Sequence, residues 1–336
     1  MKETAKIKNW QLLKHRSREE RVDLSSAEFL TVGKHAFRGQ KLLEEITLPG
    51  NGSAVKTEAF RGCRRLKKIT LPNESNVGLA GGAFRNCTRL QEIEHFECVT
   101  SIGDAAFSGC RMLKSISFGD DLRRVGASAF EGCEMLGEVV LPQSIKEIGK
   151  RAFANCTELL RVEMDPGFSG LAPDAFRGCI SLKEIVFSAL MKEIPKGAFR
   201  DCSALESVII PSNIERVESG AFMGCSRLSE AEMELGTTHI GSFAFAKNAR
   251  LKQVIVPHTV KRLGFGAFGL GRTKGAKIEL VVDNEYMQKR IRQQLFLCGS
   301  AGRASVTFEG KTIEERKRER RRTTIEQEPT HLIDPK

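Results

Sequence analysis

AFEGCEMLGEVVLPQSIKEIGKR, residues 129–151, is 23 residues long, and at residue 152 its pattern begins again. The Ala-Phe pair recurs with Phe at 37, 60, 84, 107, 130, 153, 176, 199, 222, 245 and 268. The step is 23 residues throughout, except for 24 between Phe60 and Phe84. Phenylalanines in such register are an internal repeat, and a period of roughly 20–50 residues marks a solenoid.

Positions counted from each Phe define the unit. Six residues on stands Leu, at 43, 66, 90, 113, 136, 159, 182, 205, 228 and 251. Nine on is a mostly β-branched residue, as in Ile46, Ile69, Ile116, Val139 and Val208, with Ala231 the exception. Eleven on is usually another apolar residue, as in Leu48, Leu71, Phe118, Leu141, Phe187 and Ile210. The last two positions alternate, which places them on one face of a short strand. Pro at 49, 72, 142, 211 and 257 follows directly. It cannot donate to a ladder, so it closes the strand. Five residues before each Phe stands one more apolar residue, such as Ile102, Val125 or Ile148, often followed by Gly. One unit is too small to bury its apolar side, and stacked units bury a continuous core. Each buried Phe then contributes roughly 1.5–3 kcal/mol.

The unit resembles the BspA-like class of leucine-rich repeats over residues 29–282. The residues that carry the likeness are IGDAAFSGCRMLKSISF, IGKRAFANCTELLRVEM and VESGAFMGCSRLSEAEM. The resemblance implies an α/β-type repeat protein: a leucine-rich repeat solenoid of about eleven 23-residue units, short strands on its concave face, capped at both ends. It also implies a binding scaffold of the kind often found in cell-surface or host-interaction proteins. Sites rather than folds carry function, so that context does not transfer by itself.

Four segments are expected. Residues 1–28 form an N-terminal cap or a basic arm, with Trp10, Leu12, Leu13, Val22 and Leu24 as capping residues, because a solenoid end exposes its first core layer. Residues 29–282 are the solenoid, with a register shift of about one residue in GLGRTKG before a closing strand KIELVV at 277–282. Residues 283–310 form a C-terminal cap. There Asp283 N-caps a helix to about residue 297. Met287, Ile291 and Leu295 line one side of it, Lys289, Arg292 and Gln293 the other, and residues 305–309 add an edge strand. Residues 311–336 are a charged tail expected to be disordered.

The chain of 336 residues carries a net charge of +11, part of it at the two ends. It has no run of 18 apolar residues, so no transmembrane helix is expected. Its start is polar, without an apolar signal core. A cytoplasmic location is expected, a nuclear one through the basic tail, and secretion only with a signal upstream of this sequence.

Eight cysteines sit three residues after the ladder Phe, at 63, 87, 110, 133, 156, 179, 202 and 225. Zinc sites need paired short spacings, which are missing. Parallel side chains fit disulfide geometry poorly. The series is read as a buried, reduced column suited to a reducing compartment. Gly264–Gly269 is a literal G-x-G-x-x-G, but no βαβ unit surrounds it. Sequons occur at Asn51, Asn73, Asn86 and Asn155, and the last two arise where Asn replaces the Gly before Cys. The six histidines are scattered. No catalytic residues, cofactor, metal or small-molecule substrate are expected, and the chain is read as a non-enzyme.

The strand's outward positions carry the binding expectation. Eight residues after Phe, the column includes Glu45, Glu92, Glu138, Glu184 and Glu230; ten after, it includes Glu94, Glu163, Glu232, Val140, Val186, Ile209 and Ile255. Acidic residues beside exposed aliphatics fit a basic, partly apolar protein segment. Glutamates that merely keep a sheet soluble, and β-branched residues that merely favour strands, explain the same columns. The tail cluster Arg316, Lys317, Arg318, Arg320, Arg321 and Arg322 suits nucleic acid, nuclear import or an anionic membrane. It has no stacking aromatics nearby, and a solvated charge run is the simpler reading. The leading expectation is a protein-interaction scaffold that binds an unidentified protein through its strand face. Two alternatives stand beside it: a surface or secreted adhesin-type recognition protein, and a nucleic-acid-associated or nuclear accessory protein using the tail.

Overall fold

The computed structural model describes residues 19–26, 31–50, 54–73, 76–269, 278–282, 288–289, 291–293 and 304–308. Most turns of the chain give one strand to each of two ribbons, and every pairing within a ribbon is parallel. The front ribbon contains the strand foreseen after each Leu. Its first segment is Arg21–Asp23, Glu45–Thr47, Lys68–Thr70 and Glu92–Glu94. Its second is Glu138–Leu141, Arg161–Met164 and Glu184–Val186. Its third is Ser207–Ile210, Glu230–Met233, Gln253–Val256, Ile278–Val282 and Ala304–Phe308. The rear ribbon uses the apolar residue five before each Phe, in steps mostly two residues long such as Arg124–Val125 and Glu147–Ile148.

Between the ribbons the phenylalanines stack as a column. Consecutive rings lie 4.9 to 5.9 Å apart from Phe37 to Phe268, nearly parallel throughout. Offset parallel rings at this distance add to the plain gain from burial. A backbone ladder accompanies the ring column. The Phe60 amide donates to the Ala83 carbonyl one turn on (2.8 Å), and Phe130 donates likewise to Ala152 (2.7 Å). The Ala methyls are buried in the same layer.

The eight cysteines form the expected column. All are buried and free. Each thiol donates to the carbonyl of the Phe one turn back, from Cys63 to Phe37 (3.0 Å) through Cys225 to Phe199 (3.3 Å). In the tenth turn Asn248 takes the Cys place. It is 1% exposed, and neither its Oδ1 nor its Nδ2 has a protein partner. A buried amide left unsatisfied costs about 1–3 kcal/mol. Asn248→Cys supplies a thiol for the Phe222 carbonyl and removes that cost. The variant is expected to melt several degrees higher by circular dichroism, and an equal or lower melting temperature would show that the amide is satisfied in solution.

Two glycine positions have distinct physical causes. The Gly after the rear-ribbon residue lies against the turn before it: a Cβ on Gly149 would stand 2.3 Å from the Ala127 nitrogen, and one on Gly264 2.2 Å from that of Ser242. The Gly before Cys has positive φ, 75° at Gly62 and 72° at Gly132. Asn86 (60°) and Asn155 (59°) hold the same conformation. Asn tolerates the left-handed region better than most residues, so backbone geometry accounts for both sequons. Their side chains lean over Gly109 and Gly178 of the next turns, where any Cβ would collide with them.

The front ribbon departs from the expected continuity. Phe118 and Phe187 stand where most other turns place Leu, Ile, Met or Val. The turn of Phe118 forms no front strand, and Glu184–Val186 does not pair with Ser207–Ile210. Phe118 turns edge-on to Phe130 (5.9 Å), and Phe187 to Phe199 (5.9 Å). A ring this large does not fit the layer that holds a Leu, so the strands part and Ile116 and Ile185 stay only partly buried. His95, with φ 59°, adds to the first break by swinging Phe96 into the core in a short 3-10 turn, Phe96–Cys98.

At the N-terminal end, Arg21–Asp23 pairs with Glu45–Thr47 and buries Val22 and Leu24. Trp10, Leu12 and Leu13 lie outside the described residues. At the other end Gln253 faces Glu279, and Glu279 faces Ser305, steps of 26 residues. The register shift is therefore three residues rather than one. Residues 288–289 and 291–293 are helical, with Ile291 buried and Lys289, Arg292 and Gln293 exposed. Tail residues 311–336 lie outside the described residues.

Candidate functional site

The outward side of the front ribbon holds the residues singled out from the sequence, and the breaks decide which of them reach solvent. Val140 and Ile209 are 50% and 55% exposed. Each stands on the first strand of its segment, with no paired strand before it. Val186, on the last strand of the second segment, is half-buried. Ile255 and Glu232 correct the expectation of an exposed column, being only 6% and 8% exposed. Both stand on strands flanked on each side, between Ser207–Ile210 and Ile278–Val282, where neighbours crowd the outward side chains.

The glutamates divide into paired and unpaired. Arg21 lies 3.1 Å from Glu45. Lys68 binds Glu94 at 2.6 Å and the Thr70 hydroxyl donates to it at 2.7 Å. These contacts, Lys68 first, hold the Glu94 carboxyl below its usual range. Arg161 bridges Glu163 (3.0 Å) and Glu184 (3.2 Å). Glu92, Glu138 and Glu230 are exposed and form no ion pair among the described residues. The face is therefore less acidic than its columns suggest, and its free carboxylates stand beside the exposed aliphatics: Glu138 shares a strand with Val140, and Glu230 sits on the strand next to Ile209.

This face is shallow. A cavity on it, bordered by Ile209, Glu230, Glu232, Gln253 and Ile255, measures about 90 Å³. Small-molecule pockets usually run to roughly 300–1,000 Å³. A wider opening of about 760 Å³ lies at the turns of Arg227, Arg250 and Lys252, where Arg227 is tied to Glu206 at 2.6 Å. Among the described residues no cluster of His, Cys, Asp and Glu is placed to hold a metal, and no helix is long and apolar enough to cross a membrane. Gly264–Gly269 runs through the last described Phe turn rather than joining a strand to a helix.

Two parallel ribbons around a ladder of Phe, Leu and Ile define a leucine-rich repeat solenoid. The family model for the BspA type leucine rich repeat region (6 copies) matches residues 30–160, 78–203 and 161–272, and the chain belongs to this family. Members are generally protein-interaction or surface adhesin-type scaffolds rather than enzymes. Solved structures that resemble it include a leucine-rich repeat protein from Bacteroides ovatus, 23% identical, with TM-score 0.42, covering 73% of this chain and 83% of that one. The T. pallidum leucine rich repeat protein is 35% identical with TM-score 0.43, over 48% of this chain and 77% of its own. The pneumococcal vaccine antigen PcpA is 16% identical with TM-score 0.46, over 87% and 80%. No curated protein matches the sequence.

Proposed function

We propose that the chain is a non-catalytic protein-interaction scaffold whose partner docks on the front ribbon. The observation that carries this reading is the pairing of exposed aliphatics, Val140 and Ile209, with the unpaired carboxylates of Glu138 and Glu230 on a surface set by stacked turns. A preformed surface loses little ordering entropy on binding. Isolated apolar side chains flanked by uncompensated charge suit a basic segment with apolar residues. The column of free, buried thiols supports a reducing compartment as the working location.

Reversing charge at Glu138 and Glu230 to Lys tests the reading. The double variant should keep the wild-type circular dichroism spectrum and melting temperature, because both side chains are exposed and neither forms an ion pair among the described residues. It should lose the protein partners captured by the wild type. Undiminished capture would move the binding face elsewhere. A parallel capture with the chain ending at Gly310 separates the tail: RNA or DNA recovered only with the intact chain would favour the nucleic-acid reading.

A further inference from the structure

A second surface runs along the edge between the Phe turn and the front ribbon. It is formed by residues four, five and seven after each Phe. Contacts across turns show that these positions adjoin: Arg65 and Lys67 both reach Glu44 at 2.7 Å, and Arg111 reaches Glu134 at 3.4 Å. In the second, third and fourth turns the edge is cationic. Arg64, Arg89 and Lys114 are exposed there and form no ion pair among the described residues. In the fifth, sixth and seventh turns one aliphatic side chain per turn is exposed, Met135 (42%), Leu160 (45%) and Ile180 (49%), with Glu134 tied to Arg111 and with Glu158 and Lys183 as the other charged residues at these positions. Turns repeat about every 4.8 Å, so the strip is on the order of 25 Å long, the span of about seven extended residues.

We propose that this strip is a docking surface for an acidic, aliphatic protein segment. Its carboxylates would meet Arg64, Arg89 and Lys114, and its aliphatic side chains Met135, Leu160 and Ile180. The aliphatic half decides the class of partner. A nucleic acid backbone gains from cations alone, and three exposed aliphatics give it nothing. A protein segment with both halves gains from each, and the order of the halves fixes its direction. The strip shares no residue with the front-ribbon site, so either surface can fail alone.

The probe is a fluorescein-labelled synthetic peptide, GEDEDGLILG, which sets carboxylates before aliphatic side chains and is not a segment of this chain. Titrated with the full chain and followed by anisotropy, it should bind saturably at about 50 mM salt and at least about fivefold more weakly at about 500 mM, since exposed pairs are screened. Arg89→Glu with Lys114→Glu, and separately Ile180→Asp, should each weaken binding by about fivefold or more, with circular dichroism unchanged. Lys150→Ala, exposed and on neither surface, should leave it as it was. The proposal is overturned if no saturable binding is seen up to about 1 mM peptide, a concentration that reaches even weak complexes. It is equally overturned if binding survives both sets of strip variants. A third contrary result is a polyuridine oligonucleotide that binds more tightly than the peptide and is indifferent to Ile180→Asp, which would make the edge a polyanion site.

Discussion

Phe153→Ala should lower the unfolding free energy by about 3–5 kcal/mol, while Lys150→Ala, three residues away, should change it by less than about 0.5 kcal/mol. Phe153 is fully buried, with Phe130 and Phe176 stacked on its two sides at 5.2 Å and Phe118 edge-on at 6.3 Å. Lys150 is exposed. Removing the ring takes a contact from both neighbouring turns at once. In an array stabilised by its own units plus nearest-neighbour interfaces, a weakened central interface lets the halves unfold separately. Urea unfolding followed by circular dichroism should therefore show a lower midpoint and a broader or two-step transition. Phe37→Ala, at the first ladder position and with a stacked ring on one side only among the described residues, should cost less. Equal effects for Phe153→Ala and Lys150→Ala would sink the stacked-core account.

The core was legible because a solenoid repeats its chemistry at fixed intervals. Phe, Leu, β-branched residue and Cys each fill one column, so a single period in the sequence places all four. The rear ribbon was not, because strands such as Glu147–Ile148 are two residues long and show no alternation. The second left-handed position, two residues before each Phe, was also invisible. His35, Glu58, Ala105, Ser128, Arg151, Asp174 and Phe243 all hold positive φ there, with no common side-chain chemistry. Stacking imposes that conformation whatever the residue. The candidate face was half legible. Its columns are where the sequence puts them, but Val140 and Ile255 look alike in the repeat and differ in the structure because Phe118 breaks the ribbon before one and not before the other. Arg161 likewise ties up two glutamates that the column counts as free.

Raising the pH above about 9 should destabilise the chain steeply, through the cysteine column. Burial pushes the thiols of Cys110 and Cys225 up to about 12. It raises those of Cys87, Cys133, Cys156 and Cys202 well above the ordinary value of 9.0 as well. In the unfolded chain these groups lose their protons near the ordinary value. Between about pH 9 and 12 the folded state thus holds more protons than the unfolded one, so stability falls as pH rises, and below about pH 8.5 the contribution is fully present. Each such thiol costs about 1.4 kcal/mol per pH unit, so Cys110 and Cys225 alone cost about 3 kcal/mol per unit. Against the usual 5–15 kcal/mol of a folded domain, about two pH units suffice to unfold the array. Urea midpoints measured at pH 8, 9, 10 and 10.5 should fall progressively, and Cys110→Ala with Cys225→Ala should flatten the decline by about 3 kcal/mol per unit. A midpoint that stays level to pH 10.5, or a decline unchanged in the double variant, would show that the thiols are not held neutral. The geometry gives the reason to expect otherwise: each Sγ faces a Phe carbonyl oxygen as a donor, 3.2 Å away for Cys110, and a thiolate there would set negative charge against a lone pair with no water to separate them.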